Sequence, residues 1–121
     1  GECLGDKAPS IFNVNWFRLD DEGHFIWPGF GDNLRVLNWI IDRVEGRAGA
    51  RETPIGYVPF AEDIDLSGLD FERSALESIL EVDKGLWTAE AEGIGDFYAK
   101  FGDRLPAALR GELKALKERL K

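Results

Sequence analysis

The sequence contains no methionine, a single cysteine and a single histidine among its 121 residues. Because translation begins at methionine, a chain that lacks one even at position 1 is expected to be a piece of a longer protein. Cys3 has no second cysteine with which to form an internal disulfide, so we expect a reducing, cytoplasmic setting and interpret Cys3 as an incidental free thiol. One cysteine and one histidine are also too few for a Cys/His zinc site, and His24, beside the turn residue Gly23, is expected to face solvent.

Long apolar runs and an excess of positive charge are lacking as well. No hydrophobic run approaches the ~20 residues that a membrane span requires, and the first residues do not resemble a signal peptide, so we expect no membrane partner. The chain has 15 Lys and Arg against 23 Asp and Glu, a net charge of −8. This balance argues against a nucleic acid polymer as partner, since such binding depends on neutralising phosphates. A single nucleotide held mainly by its base remains compatible with it.

The familiar motifs of phosphate binding, metal binding and nucleophilic catalysis are missing. There is no GxxxxGKS or GxxxxGKT loop, no HExxH, no CxxC and no nucleophile elbow. Gly93-Ile94-Gly95 lies in a helical pattern without a third glycine, so a phosphate loop is not predicted there. No pair of carboxylates stands out as an acid/base couple, and the charged residues near the C-terminus are interpreted as a solvated helix face. The motifs and spacings therefore offer no candidate catalytic residue and no Cys/His metal site.

The composition, 44% hydrophobic and 31% charged residues, is typical of a folded globular chain, and the length is that of one domain. We expect residues 1–10 to form a linker and residues 11–121 to form the folded part. The pattern predicts an α+β fold in which a small β-hairpin element packs on about four helices.

The predicted hairpin lies early in the chain. Alternation of apolar and polar residues predicts strands over residues 11–17 and 25–27. The run Asp20–Gly23 has the composition of a turn, and Gly23 can adopt a positive φ at low cost. A short loop of this kind would place Phe17 roughly opposite Phe25, so that both rings share one sheet face.

Helical spacing of apolar residues predicts the remaining elements. The four expected helices cover residues 33–45 with Gly46 as the stop, residues 70–82, residues 83–101 and a last segment that opens with Pro106. The last segment carries one apolar stripe, formed by Leu109, Leu113, Leu116 and Leu120. Asp32 and Asn33 are suitable N-cap residues for the first of these helices. Between the first two helices, Pro54 and Pro59 forbid a helix, and an extended, surface-wrapping connection is expected.

The segment of residues 11–33 holds more aromatic rings than one hairpin can bury on a single face. Its six rings are Phe12, Trp16, Phe17, Phe25, Trp27 and Phe30. Some of them must face something other than the protein's own core, and a flat ligand such as a nucleotide base is the natural candidate. Pro28-Gly29 would let the backbone approach such a ligand closely, because glycine has no side chain to block it.

Stacking tolerates any base, so specificity requires a group that reads the edge of the base. The planar amide of Asn33 offers one acceptor and two donors, and it can match guanine bidentately while leaving adenine with unpaired groups. The alternative reading is that the rings are core and that Asp32 or Asn33 simply caps the helix. In that case the chain is a helical packing or interaction module without its own ligand.

Four blocks of this sequence strongly resemble GTP-dependent phosphoenolpyruvate carboxykinase. The matching blocks are Ile11–Arg18, Phe25–Asn33, Arg35–Leu37 and Thr53–Pro59, with looser similarity through the helical C-terminal part. The resemblance covers nearly all of this chain but only about the last fifth of a family enzyme. The block around WPGFG is long and unusual, so chance is a poor explanation.

The resemblance implies a set of nucleotide-binding residues. In this family the guanine base lies among three phenylalanines, and the matching positions here are Phe17, Phe25 and Phe30. The family's nucleotide contact matches the segment from Phe30 through Gly31 and Asp32 to Asn33, with Asn33 at the position that reads the guanine edge, and Trp16 matches a neighbouring part of the pocket wall. The family usually has Glu in place of Asp32 and often Ser in place of Leu34, and neither difference removes a ring or the amide.

The resemblance also implies a reaction and its cofactors. The family converts oxaloacetate and GTP to phosphoenolpyruvate, CO₂ and GDP in gluconeogenesis, with Mn²⁺ and Mg²⁺, and the whole enzyme is α/β. Its metal ligands, phosphate loop and oxaloacetate-binding arginines belong upstream of Gly1. The expected partners are therefore a guanine nucleotide and the remainder of the parent enzyme chain, and the piece alone is expected to be inactive.

Overall fold

The computed structural model describes residues 5–121, with residue 6 described by its backbone alone. Cys3 and the first part of the predicted linker over residues 1–10 lie outside the described residues.

The described residues form four α-helices and one two-stranded antiparallel hairpin, which confirms the α+β class. In chain order the elements are α1 Asn33–Val44, β1 Arg51–Thr53, β2 Gly56–Val58, α2 Arg73–Leu80, α3 Lys84–Ala99 and α4 Ala107–Leu120. Short 3-10 turns occur at Gly5–Lys7, Phe30–Asp32, Ala61–Asp63 and Gly102–Arg104.

The chain divides into two compact units. The first unit takes in the chain up to Ala50 together with Pro59–Leu80, and the second combines Arg51–Val58 with Glu81–Lys121. No described helix combines the length and the apolar character needed to cross a membrane.

The core of the first unit is built on two tryptophans. Its buried residues are Trp27, Trp39, Ile64 and Leu76. Phe12 packs edge-on against Trp39, with ring centroids 6.1 Å apart, and Phe71 packs edge-on against Trp27 at 5.5 Å. Edge-to-face contacts of this kind add to the hydrophobic free energy of burying the rings. These contacts join the aromatic segment, α1 and the chain before α2 around one core.

Two arginines form hydrogen bonds between parts of the first unit that are distant in the sequence. Arg35 pairs with Asp32 at 3.0 Å and donates to the backbone carbonyl oxygens of Asp65 at 2.6 Å and Ser67 at 3.1 Å. Arg18 donates to the carbonyl oxygen of Ile79 at 2.8 Å, near the C-terminus of α2, where unpaired helix carbonyls attract cations. The guanidinium hydrogen bonds of Arg18 and Arg35 thus hold the middle and the C-terminal end of the segment of residues 11–33 in place.

The second unit consists of the hairpin and the helix pair α3 and α4. Arg51 pairs with Val58 and Thr53 with Gly56, and the Thr53 hydroxyl donates to the carbonyl oxygen of Gly56 at 2.6 Å. Arg119 of α4 donates to the carbonyl oxygen of Pro54 in the hairpin turn at 2.8 Å. Ala91 on α3 and Leu120 on α4 are the buried residues of this unit, and Leu120 belongs to the apolar stripe of α4.

The prediction of the helices was close, whereas the location of the hairpin was wrong. The first predicted helix corresponds to α1, and Gly46, with φ 75°, follows its end as expected. The second is shorter than the predicted 70–82, because Phe71 packs on Trp27 before α2 begins. The third begins as predicted after Asp83, whose carboxylate accepts from the backbone N–H of Leu86 at 2.9 Å.

The regular hairpin is formed by β1 and β2, within the segment that the two prolines marked as an extended connection. Pro54 occupies the turn, where its missing N–H costs no strand hydrogen bond. The segment of residues 11–27, predicted to be the hairpin, contains a tight turn and a single isolated bridge between Leu19 and Phe25. The rest of the segment is irregular: Phe12, Trp16 and Trp27 pack on the core, whereas Phe17 and Phe25 stay exposed.

Candidate functional site

The six rings of the aromatic segment divide into an inner and an outer set. Trp27 is buried, and Phe12 and Trp16 are partly buried against the core of the first unit. The outer rings are exposed to solvent: Phe17 is 70% exposed, Phe25 63% and Phe30 96%. Solvent exposure of three phenylalanines within 14 residues is unusual for a globular surface.

The turn that carries two of these rings is organised by Asp20. The Asp20 carboxylate accepts from the backbone N–H groups of Glu22 at 2.9 Å and His24 at 2.8 Å, and Gly23 has φ 85°. The backbone N–H of His24 is the main cause that lowers the pKa of the Asp20 carboxyl below its ordinary value. His24 is exposed, as predicted from its place beside the turn glycine.

The turn brings Phe17 and Phe25 into contact in a register that differs from the predicted one. Phe25 lies opposite Leu19, and Phe17 is its diagonal neighbour two residues away, so the predicted direct pairing of Phe17 with Phe25 was wrong. Diagonal neighbours still share one face. The two ring centroids are 5.9 Å apart with an angle of 61° between the planes, which leaves part of each ring face open.

Phe30 is presented by an uncommon backbone conformation. It has φ 46°, in the left-handed region, and it follows Gly29 with φ 78°. A positive φ at a phenylalanine is a genuine outlier that costs on the order of 1–3 kcal/mol. Burial of the ring does not compensate for this cost, since Phe30 is almost fully exposed. Such strain at an exposed side chain is a feature of binding sites.

Asn33 begins α1, but its side chain does not cap the helix. The N-cap residue is Asp32, one of the two predicted N-cap residues, but its carboxylate makes no capping hydrogen bond and pairs with Arg35 instead. The Asn33 Oδ1 accepts from the indole Nε1 of Trp27 at 2.9 Å. Because an indole N–H can only donate, this bond fixes which end of the amide is the oxygen.

The amide nitrogen of Asn33 remains available for another partner. Among the described residues no acceptor binds its Nδ2, and the oxygen has a second lone pair beyond the one that Trp27 uses. Gly31, between Phe30 and Asp32, is exposed, and no heavy atom lies within 4 Å of the position that a side chain would occupy there. The described residues therefore offer an oriented amide and an open backbone turn at the start of α1, a contacting ring pair formed by Phe17 and Phe25, and the separately exposed ring of Phe30.

A separate cleft of about 720 Å³ lies on the second unit between α3 and α4. Tyr98 lines it from α3, and Arg110, Lys114 and Lys117 line it from α4. Arg110 donates to the carbonyl oxygen of Gly102 at 2.8 Å. The cleft shares no residue with the aromatic segment, and it contains neither an exposed phenylalanine nor an amide, so it does not match the chemistry of a base site.

Comparison with known protein families shows which family the chain belongs to. The sequence model of the family described as phosphoenolpyruvate carboxykinase C-terminal P-loop domain matches residues 2–119. The chain belongs to this family. The phosphoenolpyruvate carboxykinase domain is named for a phosphate loop, and this chain contains no GxxxxGKS or GxxxxGKT sequence.

Several curated relatives are similar over almost the whole chain. Phosphoenolpyruvate carboxykinase (GTP) of Arthrobacter sp. (strain FB24) is 54% identical over 120 residues, which are 99% of this chain and 20% of the relative. The enzymes of the same name from Renibacterium salmoninarum and Neocallimastix frontalis are 56% and 55% identical, over 95% of this chain and 19% of each relative. The chain thus spans about a fifth of the length of the curated relatives that it matches.

Two contributions to this geometry were not visible in the sequence. Trp27 was counted among the rings of the segment, yet its N–H holds the amide of Asn33, six residues further on. Arg35 was noted only as part of a family block, although it fixes Asp32 and the start of α1. Only one sequence signal could have suggested the contact between Trp27 and Asn33. It is a tryptophan shortly before an asparagine with a Pro-Gly turn between them.

Proposed function

We propose that the exposed rings and the Asn33 amide bind the base of a guanine nucleotide. The proposal rests on three exposed phenylalanines and on the amide of Asn33. Trp27 orients this amide, and the amide makes no helix-capping hydrogen bond. The choice of nucleotide comes from the relatives, which are GTP-type phosphoenolpyruvate carboxykinases. The whole enzyme would convert oxaloacetate and GTP to phosphoenolpyruvate, CO₂ and GDP.

The rings would supply most of the affinity for the base. Stacking of a base on an aromatic side chain contributes about 1–3 kcal/mol. The 61° angle between Phe17 and Phe25 prevents the two rings from stacking on each other. Each ring therefore keeps a face for a ligand, and Phe30 is held outward by its backbone.

The amide of Asn33 would supply the preference for guanine. Its NH₂ group can donate to the guanine carbonyl, while the second lone pair of its oxygen accepts from the adjacent ring N–H. Adenine has a donor and an acceptor in the opposite order, so at least one buried polar group would stay unpaired. A good bidentate contact to a base edge discriminates by about 1–3 kcal/mol.

The contribution of this site to the reaction is positional. Holding the base fixes one end of the nucleotide, which helps to align the γ-phosphoryl group for transfer. Mn²⁺ and Mg²⁺ are the metals that the family implies, but no group of three His, Cys, Asp or Glu side chains in the described residues could hold such an ion. The proposal therefore assigns no metal-dependent step and no phosphate contact to this chain.

The test is the nucleotide preference of the full-length enzyme that carries this chain. Asn33→Ala is expected to lower the ratio of kcat/KM for GTP to kcat/KM for ATP by about 5- to 150-fold, the equivalent of 1–3 kcal/mol. Asn38→Ala is the matched control, because Asn38 is an exposed amide on the same helix. An unchanged ratio in Asn33→Ala would remove the edge-reading role from this residue.

A direct binding test uses the 121-residue chain alone. Without contacts to the phosphate groups of the nucleotide, the net free energy of binding should be ~3–5 kcal/mol in magnitude. This corresponds to a dissociation constant near or above the millimolar range. An NMR titration with GDP should shift the signals of Phe17, Phe30 and Asn33 more than a titration with ADP does. Equal responses to the two nucleotides would argue for stacking without recognition of the base edge.

A further inference from the structure

The cleft between α3 and α4 has a basic wall. Its volume of about 720 Å³ lies within the range of small-molecule sites in proteins, which runs from roughly 300 to 1,000 Å³. Four cationic residues of α4 and its C-cap line the cleft, namely Arg110, Lys114, Lys117 and Lys121. Their separations of four, three and four residues put them on one face of the helix. The chain as a whole has a net charge of −8, so this concentration of positive charge is an exception within it.

Two carboxylates line the same cleft, and one of them pairs with a cation. Glu118 accepts from the ammonium of Lys121 at 2.6 Å. Asp103 is the second carboxylate. Lys114 and Lys117 form no ion pair with any residue that the structure describes. The four cations and two carboxylates give the lining a formal charge of +2, so the cleft suits an anion.

Stabilisation of the helix explains only part of this basic wall. Cations near a helix C-terminus interact favourably with the helix dipole, which accounts for Lys117 and Lys121. Arg110 is the fourth residue of α4, in the half of the helix where the dipole favours negative charge. Like charges at these helical spacings also repel one another. A bound anion would relieve this repulsion.

Two of the four cations are held at the cleft by their contacts. Arg110 donates to the carbonyl oxygen of Gly102 at 2.8 Å, and Gly102 also lines the cleft. This bond uses one of the guanidinium N–H donors, and the planar fork of the others matches the oxygens of a phosphate group. A Cβ added at Gly95 of α3 would lie 3.7 Å from Nζ of Lys117, so this ammonium lies beside the facing helix. Both charges therefore border the space between the two helices.

We propose that this cleft binds a small molecule that carries two or more linked phosphate groups. Arg110 and Lys117 are seven residues apart, which is ~10 Å along a helix axis, so a row of phosphates can contact cations that a single phosphate cannot reach together. Phosphate oxygens accept strong, charge-assisted hydrogen bonds from Arg and Lys, and the partly buried Tyr98 adds a hydroxyl on the α3 side. The cleft shares no residue with the aromatic segment, so the proposal does not rest on the proposed function.

Acetylation of lysines in the full-length enzyme tests the proposal. At a low dose of an acetyl N-hydroxysuccinimide ester, mass spectrometry of peptides gives the reaction rate of each lysine with and without tripolyphosphate. The rates of Lys114 and Lys117 should fall with one shared half-saturation concentration, by about tenfold at about ten times that concentration. Lys84, an exposed residue at the start of α3 that does not line the cleft, should keep its rate.

A variant that removes one charge tests whether the phosphates bind in the cleft. Lys114→Gln should raise the half-saturation concentration measured at Lys117 by about two- to fivefold, the effect of losing one exposed charge contact. Lys114 is exposed and forms no ion pair with a described residue, so the substitution should not disturb the fold. Lys100→Gln is the matched control, because Lys100 is an exposed lysine at the end of α3 outside the cleft lining. It should leave the half-saturation concentration unchanged, and the same result in Lys114→Gln would overturn the proposal.

The remaining outcomes would each overturn the proposal for a different reason. Unchanged rates at Lys114 and Lys117 would exclude the binding. Equal slowing at Lys84, or equal slowing by sodium chloride at matched ionic strength, would show charge screening in place of a site. Orthophosphate that protects at the same concentration as tripolyphosphate would mean that one phosphate is enough. Slow acetylation before any probe is added, relative to the rate in urea, would mean that polypeptide of the enzyme fills the cleft. None of these measurements depends on the nucleotide preference of Asn33→Ala, so the two proposals fail separately.

Discussion

Replacing Trp27 by phenylalanine is expected to weaken the preference for GTP in the full-length enzyme without removing any exposed ring. Trp27 is 6% exposed, and its Nε1 donates to Asn33 Oδ1 at 2.9 Å. Without this donor the amide has no fixed orientation, and its NH₂ and carbonyl ends can exchange. A neutral hydrogen bond contributes about 0.5–1.5 kcal/mol net. The GTP/ATP ratio of kcat/KM should therefore fall by about twofold to tenfold.

Trp39→Phe provides a matched control for this change. Trp39 is 5% exposed, so both substitutions exchange a buried indole for a benzene ring. The indole N–H of Trp39, however, has no hydrogen-bond partner in the described residues. Trp39→Phe thus loses packing but no hydrogen bond, and it relieves a buried donor whose lack of a partner costs about 1–3 kcal/mol.

The assay measures kcat/KM for GTP and for ATP with both variants, together with their thermal unfolding. We expect Trp27→Phe to lose more stability than Trp39→Phe and to be the only one of the two that shifts the nucleotide ratio. Equal shifts in both variants would mean that core packing in general, not the bond to Asn33, controls the preference. An unchanged ratio in Trp27→Phe would refute the orienting role of the indole.

Three further predictions concern the rings and their turn. Phe17→Ala should lower the free energy of unfolding by about 1 kcal/mol, the value of its edge contact with Phe25, and a loss of 3–5 kcal/mol in denaturant titrations would make Phe17 a core residue. Phe30→Gly should raise the free energy of unfolding by about 1–2 kcal/mol, since glycine adopts φ 46° without the cost that phenylalanine carries there, yet GDP should bind more weakly in the NMR titration. Because the pKa of the Asp20 carboxyl is lowered on folding, its stabilisation is complete above the ordinary pKa and is lost as the pH falls through the folded value. Below about pH 4 the free energy of unfolding should therefore fall more steeply with decreasing pH in the wild type than in Asp20→Asn. Identical slopes in the two proteins would contradict this role of Asp20.

The sequence predicted the elements whose signals are local. The apolar spacing of α1 and the glycine at position 46 set its bounds within a residue or two, and Pro106 correctly marked the start of α4. The early segment was harder, because its alternation suggested a strand pair. Its residues are instead held by the contacts of Arg18 with Ile79 and of Trp27 with Phe71, which join positions 44 or more residues apart. No local pattern encodes such contacts.

The division of the rings into core and surface could not be read from composition. Phe17 and Trp16 are neighbours of similar hydrophobicity, and the fold alone decides that the first is exposed and the second packs inward. The bond from Trp27 to Asn33 was invisible for the same reason. The prediction that some rings in this segment lie outside the core is nevertheless confirmed by the exposure of three of them.

The geometry separates affinity from specificity in the proposed site. A ring face accepts any base, so losing one phenylalanine should weaken GTP and ATP alike. Under the proposed function the amide is the group that would distinguish their edges, and only while its donor and acceptor ends stay in a fixed order. That order depends on a buried tryptophan of the core, which is itself packed against Phe71. Nucleotide preference in this family member should therefore be sensitive to core residues behind the site, whereas overall nucleotide affinity should be sensitive to the exposed rings in front of it.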